Sequence, residues 1–205
     1  MSKDREQYTM GYGAAATAIM AVRTAQRHAA FFLPELESAS FDAVFVSAVL
    51  GNLREPIRGL RETYRVLKAG GVIGIKEFDH GGDLFYPMDQ PLKQYNECCW
   101  RLRAENGHDP QGGRKVGALL AEAGFSDVKM SASYESMSAP KALSGVARAF
   151  SGLLSEGWGD AFKDRGWATA GGVQEMSDAW LGFSRTPGAF YAGAWCEAVA
   201  RKHAA

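Results

Sequence analysis

The chain has 205 residues, 46% hydrophobic and 11% aromatic, which is enough apolar surface to bury a core and too much for a disordered segment. Lysine plus arginine and aspartate plus glutamate both number 23, so the formal net charge is zero and no global field draws the chain to nucleic acid or an anionic membrane. The start MSKDREQYT lacks an apolar leader, and no run reaches the ~18 apolar residues of a membrane span, so the expected location is cytoplasmic.

From Gly13 the sequence sets Ala18, Val22, Ala25, Ala29 and Leu33 at helical spacing, and Pro34 stops that first helix. FDAVFVSAVL follows, almost continuously apolar from Ala43 to Leu50, as in a strand covered on both faces of a parallel sheet. EPIRGLRETYRVLKAGG then places Pro56 in a first turn, Ile57, Leu60, Tyr64 and Leu67 on one stripe, and Gly70-Gly71 at the end, which predicts a helix. VIGIKEF is the next strand. A strand, helix and strand joined by short connectors form a crossover, so the sheet is parallel here and the class is α/β.

HGGDLFYPMD reads as a loop, QPLKQYNECCWRLRAENG as a helix ended by Asn106-Gly107, and GRKVGALLAEAG as a shorter helix. In FSDVKMSASYES, residues Val128, Met130, Ala132 and Tyr134 alternate with polar ones, so this strand has one wet face or lies near an edge. From Pro140 onward the pattern is helical, including GAFYAGAWCEAVARK at the end. This predicts a core over residues 1–138 and a helical cap over 139–205. Cys98, Cys99 and Cys196 show no C-x-x-C spacing and read as reduced, buried thiols. No H-E-x-x-H, G-x-S-x-G or Walker pattern occurs, and no metal is expected. Met10-Gly11-Tyr12-Gly13 and Gly112-Gly113 read as turns or caps, and His28 and His108 as residues of a polar helix face and a turn.

The block SFDAVFVSAVLGNLREPIRGLRETYRVLKAGGVIGIKEFD resembles the middle of class I S-adenosylmethionine-dependent methyltransferases, in the branch related to the quinone C-methyltransferases. The residues that carry the resemblance are Phe41-Asp42, Leu50, Leu53, Leu60-Arg61-Glu62, Arg65-Val66-Leu67-Lys68 and Gly70-Gly71. It extends to the N-terminal YTMGYG, to Gly113-Arg114, to Glu122-Ala123-Gly124-Phe125 and to the closing Ala194 to Val199. The resemblance implies a Rossmann-like sheet of strand order 3-2-1-4-5-7-6, with ligand bound at the switch point between strands 1 and 4. It also implies S-adenosylmethionine as cofactor and a small-molecule methyl acceptor. Where that family carries a glycine-rich loop after strand 1 and an acidic residue after strand 2, Leu36 passes directly into Glu37, a gap of roughly 60 residues. The expected fold is therefore a truncated Rossmann-like methyltransferase sheet, with strands equivalent to 4, 5 and a later one, an N-terminal helix and a C-terminal helical cap.

By the same resemblance, Tyr8, Gly11, Ser47, Ala48, Val49 and Leu50 stand beside the cofactor, and Asp79, His80, Tyr86 and Arg114 near the acceptor. Asn52 stands where the family often has a histidine, which removes one base. With strands 1 to 3 absent, residues 42–47 become an edge, to be covered by the first helix or by the same strand of a second chain in a homodimer. Two readings stay open: a methyltransferase acting on a small molecule, and a non-catalytic binding or regulatory module derived from one.

Overall fold

The computed structural model describes residues 42–203. The expected first helix, Tyr8, Gly11 and the junction of Leu36 with Glu37 lie outside the described residues. In chain order the elements are β1 (Ala43–Ser47), α1 (Pro56–Val66), β2 (Val72–Phe78), β3 (Leu84–Tyr86), α2 (Gln90–Glu105), α3 (Val116–Glu122), β4 (Ser126–Met137), α4 (Pro140–Leu153), α5 (Gly159–Asp164), α6 (Ala170–Phe183) and β5 (Phe190–Arg201). The chain divides into two compact units. Of the described residues, a sheet unit takes 42–83, 107–135 and 193–203, and a helical unit takes 84–106 and 136–192.

In the sheet unit, β1 runs parallel to β2, from Ala43 opposite Val72 to Ser47 opposite Lys76. On its other side β2 runs antiparallel to β5, from Val72 opposite Arg201 to Phe78 opposite Trp195. β4 also pairs with β5. The order β1–β2–β5–β4 is the 4-5-7-6 half of the expected sheet, with the strand at position 7 antiparallel. The fold is α/β of the Rossmann-like kind.

Helices α1 and α3 cover one face of this sheet. Leu60, Leu67, Val116 and Leu120 are buried against Ile73 and Ile75 of β2 and Ala198 and Ala200 of β5, side chains that share a face because strand residues two apart do. Helix α1 ends where its last carbonyls find a cation: the Lys202 ammonium donates to the carbonyls of Tyr64 at 2.8 Å and Leu67 at 2.7 Å. Gly71 then lets the chain enter β2, because a Cβ there would lie 2.7 Å from the Asp42 carbonyl oxygen.

The helical unit has a separate, aromatic core. Trp180 packs against Phe150 at 4.7 Å and Tyr95 at 5.5 Å between ring centroids, with Phe162 and Met176 fully buried nearby in the same cluster. Asp89 caps α2 by accepting the Leu92 amide, and Thr169 caps α6 by accepting the Gly172 amide, both at 3.0 Å. Cys98 and Cys99 are buried here without a disulfide, and burial drives the Cys99 thiol far above the ordinary cysteine range.

Several element expectations are corrected. The segment expected to end the chain as a helix is strand β5, buried along nearly its whole length. Its alanines favour a helix, but propensity is a weak prior that tertiary context overrides: AFYAGAWCEAVA offers no polar face for a surface helix, whereas a strand between two neighbours buries both faces. The C-terminal region is therefore helical only as far as Phe183. The 79–89 loop contains a single-turn 3₁₀ helix at His80–Gly82 and the short strand β3, paired with residues 190–192. β1 stops at Ser47, where a turn into a 3₁₀ helix at Leu50–Asn52 takes over. Rather than fully covered, β1 is half-buried with Phe45 38% exposed, and among the described strands it pairs only with β2. β4, by contrast, lies at an edge as its alternation allows: among the described strands it pairs only with β5, Met130 and Tyr134 are exposed, and Ser131 and Ser133 bond to Glu197 of β5.

Leu60 is fully buried at the centre of the α1 contact, whereas Val66 on the same helix is 55% exposed. Leu60→Ala should therefore cost about 2–5 kcal/mol, and Val66→Ala less than about 0.5 kcal/mol, both read as shifts of the urea midpoint at constant slope.

Candidate functional site

The end of β2, Lys76-Glu77-Phe78-Asp79, places charged groups in a strand that is otherwise apolar, and alternation sends Lys76 and Glu77 to opposite faces. Glu77 is 1% exposed. Its Oε2 accepts the amides of Val49 at 2.9 Å and Leu50 at 2.7 Å, and Oε1 accepts that of Phe78 at 3.3 Å. Burial raises the Glu77 carboxyl above its ordinary 4.5, and these amide bonds offset that only in part. The turn it anchors begins at Ala48, a non-glycine residue at φ 54°, whose amide donates to the Lys76 carbonyl at 2.8 Å. A left-handed alanine costs on the order of 1 kcal/mol, so the Glu77 bonds hold a conformation the local chain does not favour.

Asp79 is also buried, at 3% exposure, and its partner is Arg114 in the 3₁₀ turn Gly113–Lys115. The guanidinium donates from Nε to Oδ2 at 2.7 Å and from Nη2 to Oδ1 at 2.5 Å, and the Arg114 amide adds a bond at 2.9 Å. Burial pushes the Asp79 carboxyl up, but the Arg114 bonds together outweigh it and leave the group below its ordinary 3.8. The turn comes this close because residue 113 is glycine: a Cβ would sit 2.7 Å from the Phe78 carbonyl oxygen.

His80 follows directly. Its Nδ1 lies 3.0 Å from Asp83 Oδ2, and Asp83 Oδ1 accepts the Ala194 amide at 2.8 Å. The ring stacks on Phe78 at 5.2 Å and 13°, and Phe78 lies on Trp195 at 3.8 Å. The Nε2 atom is buried and has no partner among the described residues. On the sheet itself, Lys76 and Glu197 form a buried pair at 3.4 Å, with Lys76 5.0 Å from the Trp195 ring centroid. The hydroxyls of Ser131, at 3.0 Å, and Ser133 also donate to Glu197. Ser47 stands opposite Lys76 in the ladder, and its buried hydroxyl has no partner among the described residues.

Of the residues expected from sequence, Ser47, Ala48, Val49 and Leu50 form one turn, and Asp79, His80 and Arg114 form one cluster in the same unit. Tyr86 belongs to the helical unit, on β3, where it is 66% exposed. Sequence reasoning missed Lys76, Glu77, Asp83 and Glu197. Their signals were a lysine, a glutamate and a second glutamate inside apolar strands, and an aspartate three residues after a histidine.

The turn after β1 is the wall that the resemblance assigns to the cofactor. It offers the Ser47 hydroxyl and the Val49 side chain, 43% exposed. The amides of Val49 and Leu50, which could face a ligand, are spent on Glu77. By themselves the described residues therefore do not fit the whole of S-adenosylmethionine.

Residues 10–75 match the family model described as a methyltransferase domain. Over that stretch the chain resembles a methyltransferase. That resemblance carries S-adenosylmethionine as the family's cofactor. The comparison with curated proteins found no match. Among solved structures, phosphoethanolamine N-methyltransferase 2 of Haemonchus contortus, in complex with phosphomonomethylethanolamine and S-adenosylhomocysteine, is 17% identical over 82% of this chain and 35% of its own, at a TM-score of 0.38. The 4+2 cyclase SpnF is 20% identical over 81% of this chain and 52% of its own, at 0.38. A candidate methyltransferase from Bacillus halodurans is 19% identical over 79% and 70%, at 0.43. The chain spans only 35% and 52% of the first two. No helix among the described residues is long and apolar enough to cross a membrane.

Removing the Glu77 acceptor strands the amides of Val49, Leu50 and Phe78, so Glu77→Ala should cost about 2–4 kcal/mol. Because the folded carboxyl titrates above 4.5, the native state holds more protons than the unfolded one between that value and its raised one. Stability from this group falls as pH rises through that window, a slope that Glu77→Gln should abolish in urea titrations. Asp79 acts with opposite sign: its contribution is complete above 3.8 and lost as pH falls through its lowered folded value. Arg114→Ala should lower the urea midpoint at pH 7 and have little effect in acid, where Asp79 is neutral with or without its partner.

Proposed function

We propose that this chain is a homologue of the class I S-adenosylmethionine-dependent methyltransferases, of the quinone C-methyltransferase-like branch, that keeps the acceptor half of the fold and lacks the glycine-rich cofactor half. The observation that carries the reading is the strand order β1–β2–β5–β4 with β5 antiparallel. The methyltransferase-domain match over residues 10–75 supports it, as does the direct passage from Leu36 to Glu37. On this reading the chain alone does not transfer a methyl group and serves as a binding or regulatory module. The engagement of the Val49 and Leu50 amides by Glu77 supports that view, since catalysis by positioning requires a cofactor held firmly in place.

A second reading is favoured by two unpartnered groups, Ser47 Oγ and His80 Nε2. Here the chain acts on a small-molecule acceptor, with a cofactor pocket completed by a second copy paired through residues 42–47. The one-sided pairing of β1 among the described strands supports such a homodimer. Both readings place the chain in the cytoplasm, and its unbridged cysteines are consistent with a reducing compartment.

Calorimetric titration of S-adenosylmethionine and S-adenosylhomocysteine, with light scattering in the same buffer, separates the two. The first reading predicts no heat and no thermal shift up to millimolar ligand. Micromolar binding would overturn it, and a dimeric mass would then assign the pocket to two chains.

A further inference from the structure

Among the described strands β4 has one neighbour, β5, so it ends the sheet on the side away from β1. Lys129, Met130, Ser131 and Ala132 are exposed in succession, which opens both faces of the strand there, and Tyr134 is 52% exposed just beyond them. The segment from Val128 to Tyr134 holds no proline and a single charge, Lys129. An edge of this composition invites a further strand. Its two faces differ: a Cβ at Gly117 of α3 would lie 3.2 Å from Met130 Cγ, so Met130 stands on the α3 face, and Ala132 and Tyr134 share that face by alternation. On the other face Ser131 and Ser133 bond to Glu197.

The sequence of β4 is complementary to itself in one register. Directly opposite residues of an antiparallel pair point to the same face, so a two-fold pairing of β4 with its own copy has a residue at its centre. Centred on Ser131, the pairing sets Asp127 against the partner's Glu135, two like charges, and centred on Ser133 it sets Lys129 against the partner's Met137. Centred on Ala132, it sets Met130 against the partner's Tyr134, Ser131 against the partner's Ser133 and Lys129 against the partner's Glu135. Thioether meets ring, hydroxyl meets hydroxyl and cation meets carboxylate, each twice by symmetry.

We propose that the β4 edge is a homodimer interface, in which the β4 strands of two copies pair antiparallel about a two-fold axis through Ala132 and join their sheets into one. The same patch serves both partners, as a two-fold interface requires. This edge lies at the opposite end of the order β1–β2–β5–β4 from residues 42–47. The interface therefore goes beyond both readings of the function, and it neither needs nor supplies a cofactor pocket.

The test is light scattering of the full chain and of variants at Ala132, whose side chain is exposed and outside the core. Ala132→Lys and Ala132→Glu each set like charges face to face at the axis, so the mass of each should fall to half the wild-type value with an unchanged circular dichroism spectrum. Mixed in equal amounts, the two variants bring unlike charges together, and the wild-type mass should return. Cross-linking reads the register separately. Opposite Cα atoms in an antiparallel pair lie about 4.5–5.5 Å apart, within disulfide reach, so oxidised glutathione should link two chains of Ala132→Cys. Lys129→Cys, about 20 Å from its own copy in this register, should stay unlinked, with the wild type and its three native cysteines as the blank. A monomeric wild type, a mass that either charge variant leaves unchanged, a mixture that stays at half mass, or linkage through residue 129 in place of 132 would each overturn the proposal. A dimer held only through residues 42–47 is one such case, because both charge variants would keep its mass.

Discussion

The sheet unit depends on one buried carboxylate. Glu77, at the end of β2, takes the amides of Val49 and Leu50 and so ties the turn after β1 to the neighbouring strand. Parallel strands fix their register through the ladder, but nothing in a ladder dictates where the chain goes once it leaves the sheet. Here the direction is set by a charge that cannot stay buried without donors, and by amides that cannot stay buried without an acceptor. The left-handed Ala48 is the local strain that this mutual need sustains.

The same strand end organises the rest of the site by giving each polar group a different partner. Lys76 pairs across the sheet with Glu197, Glu77 with the turn after β1, Asp79 with Arg114, and His80 with Asp83. Of these groups, only His80 keeps an unsatisfied buried atom. Glu77 and Asp79 sit two residues apart yet titrate in opposite directions, because one carboxylate meets only neutral amide donors and the other meets a cation. A cluster in which nearly every charge is internally matched serves structure first.

The two cores differ in kind. Under α1 and α3 the sheet unit packs aliphatic side chains in rows set by the strands, whereas the helical unit packs rings around Trp180. Strand rows repeat every second residue, so a sheet core needs small and branched side chains at fixed spacing. Crossing helices leave wider gaps, which large rings fill.

Local pattern was enough for the βαβ crossover. Pro56, the stripe through Leu60, Gly70-Gly71 and VIGIKEF each specify a conformation by short-range chemistry, and these elements form as read. Asp79, His80 and Arg114 were legible as polar residues near the end of β2 and the start of α3, and the fold brings Asp79 onto Arg114 with His80 beside it. The partners were not legible. Glu77 meets Val49 across 28 residues and Lys76 meets Glu197 from a strand more than a hundred residues away, so both pairings depend on register between strands that no short window of the chain contains. For the same reason AFYAGAWCEAVA reads as a helix in isolation and becomes a strand beside β2: its alanines accept either conformation, and only the open side of β2 decides between them. The sequence by itself determined the class of the fold and where its polar chemistry falls along the chain. Tertiary structure decided which charges neutralise one another and which nitrogen is left free, because both follow from packing between distant segments.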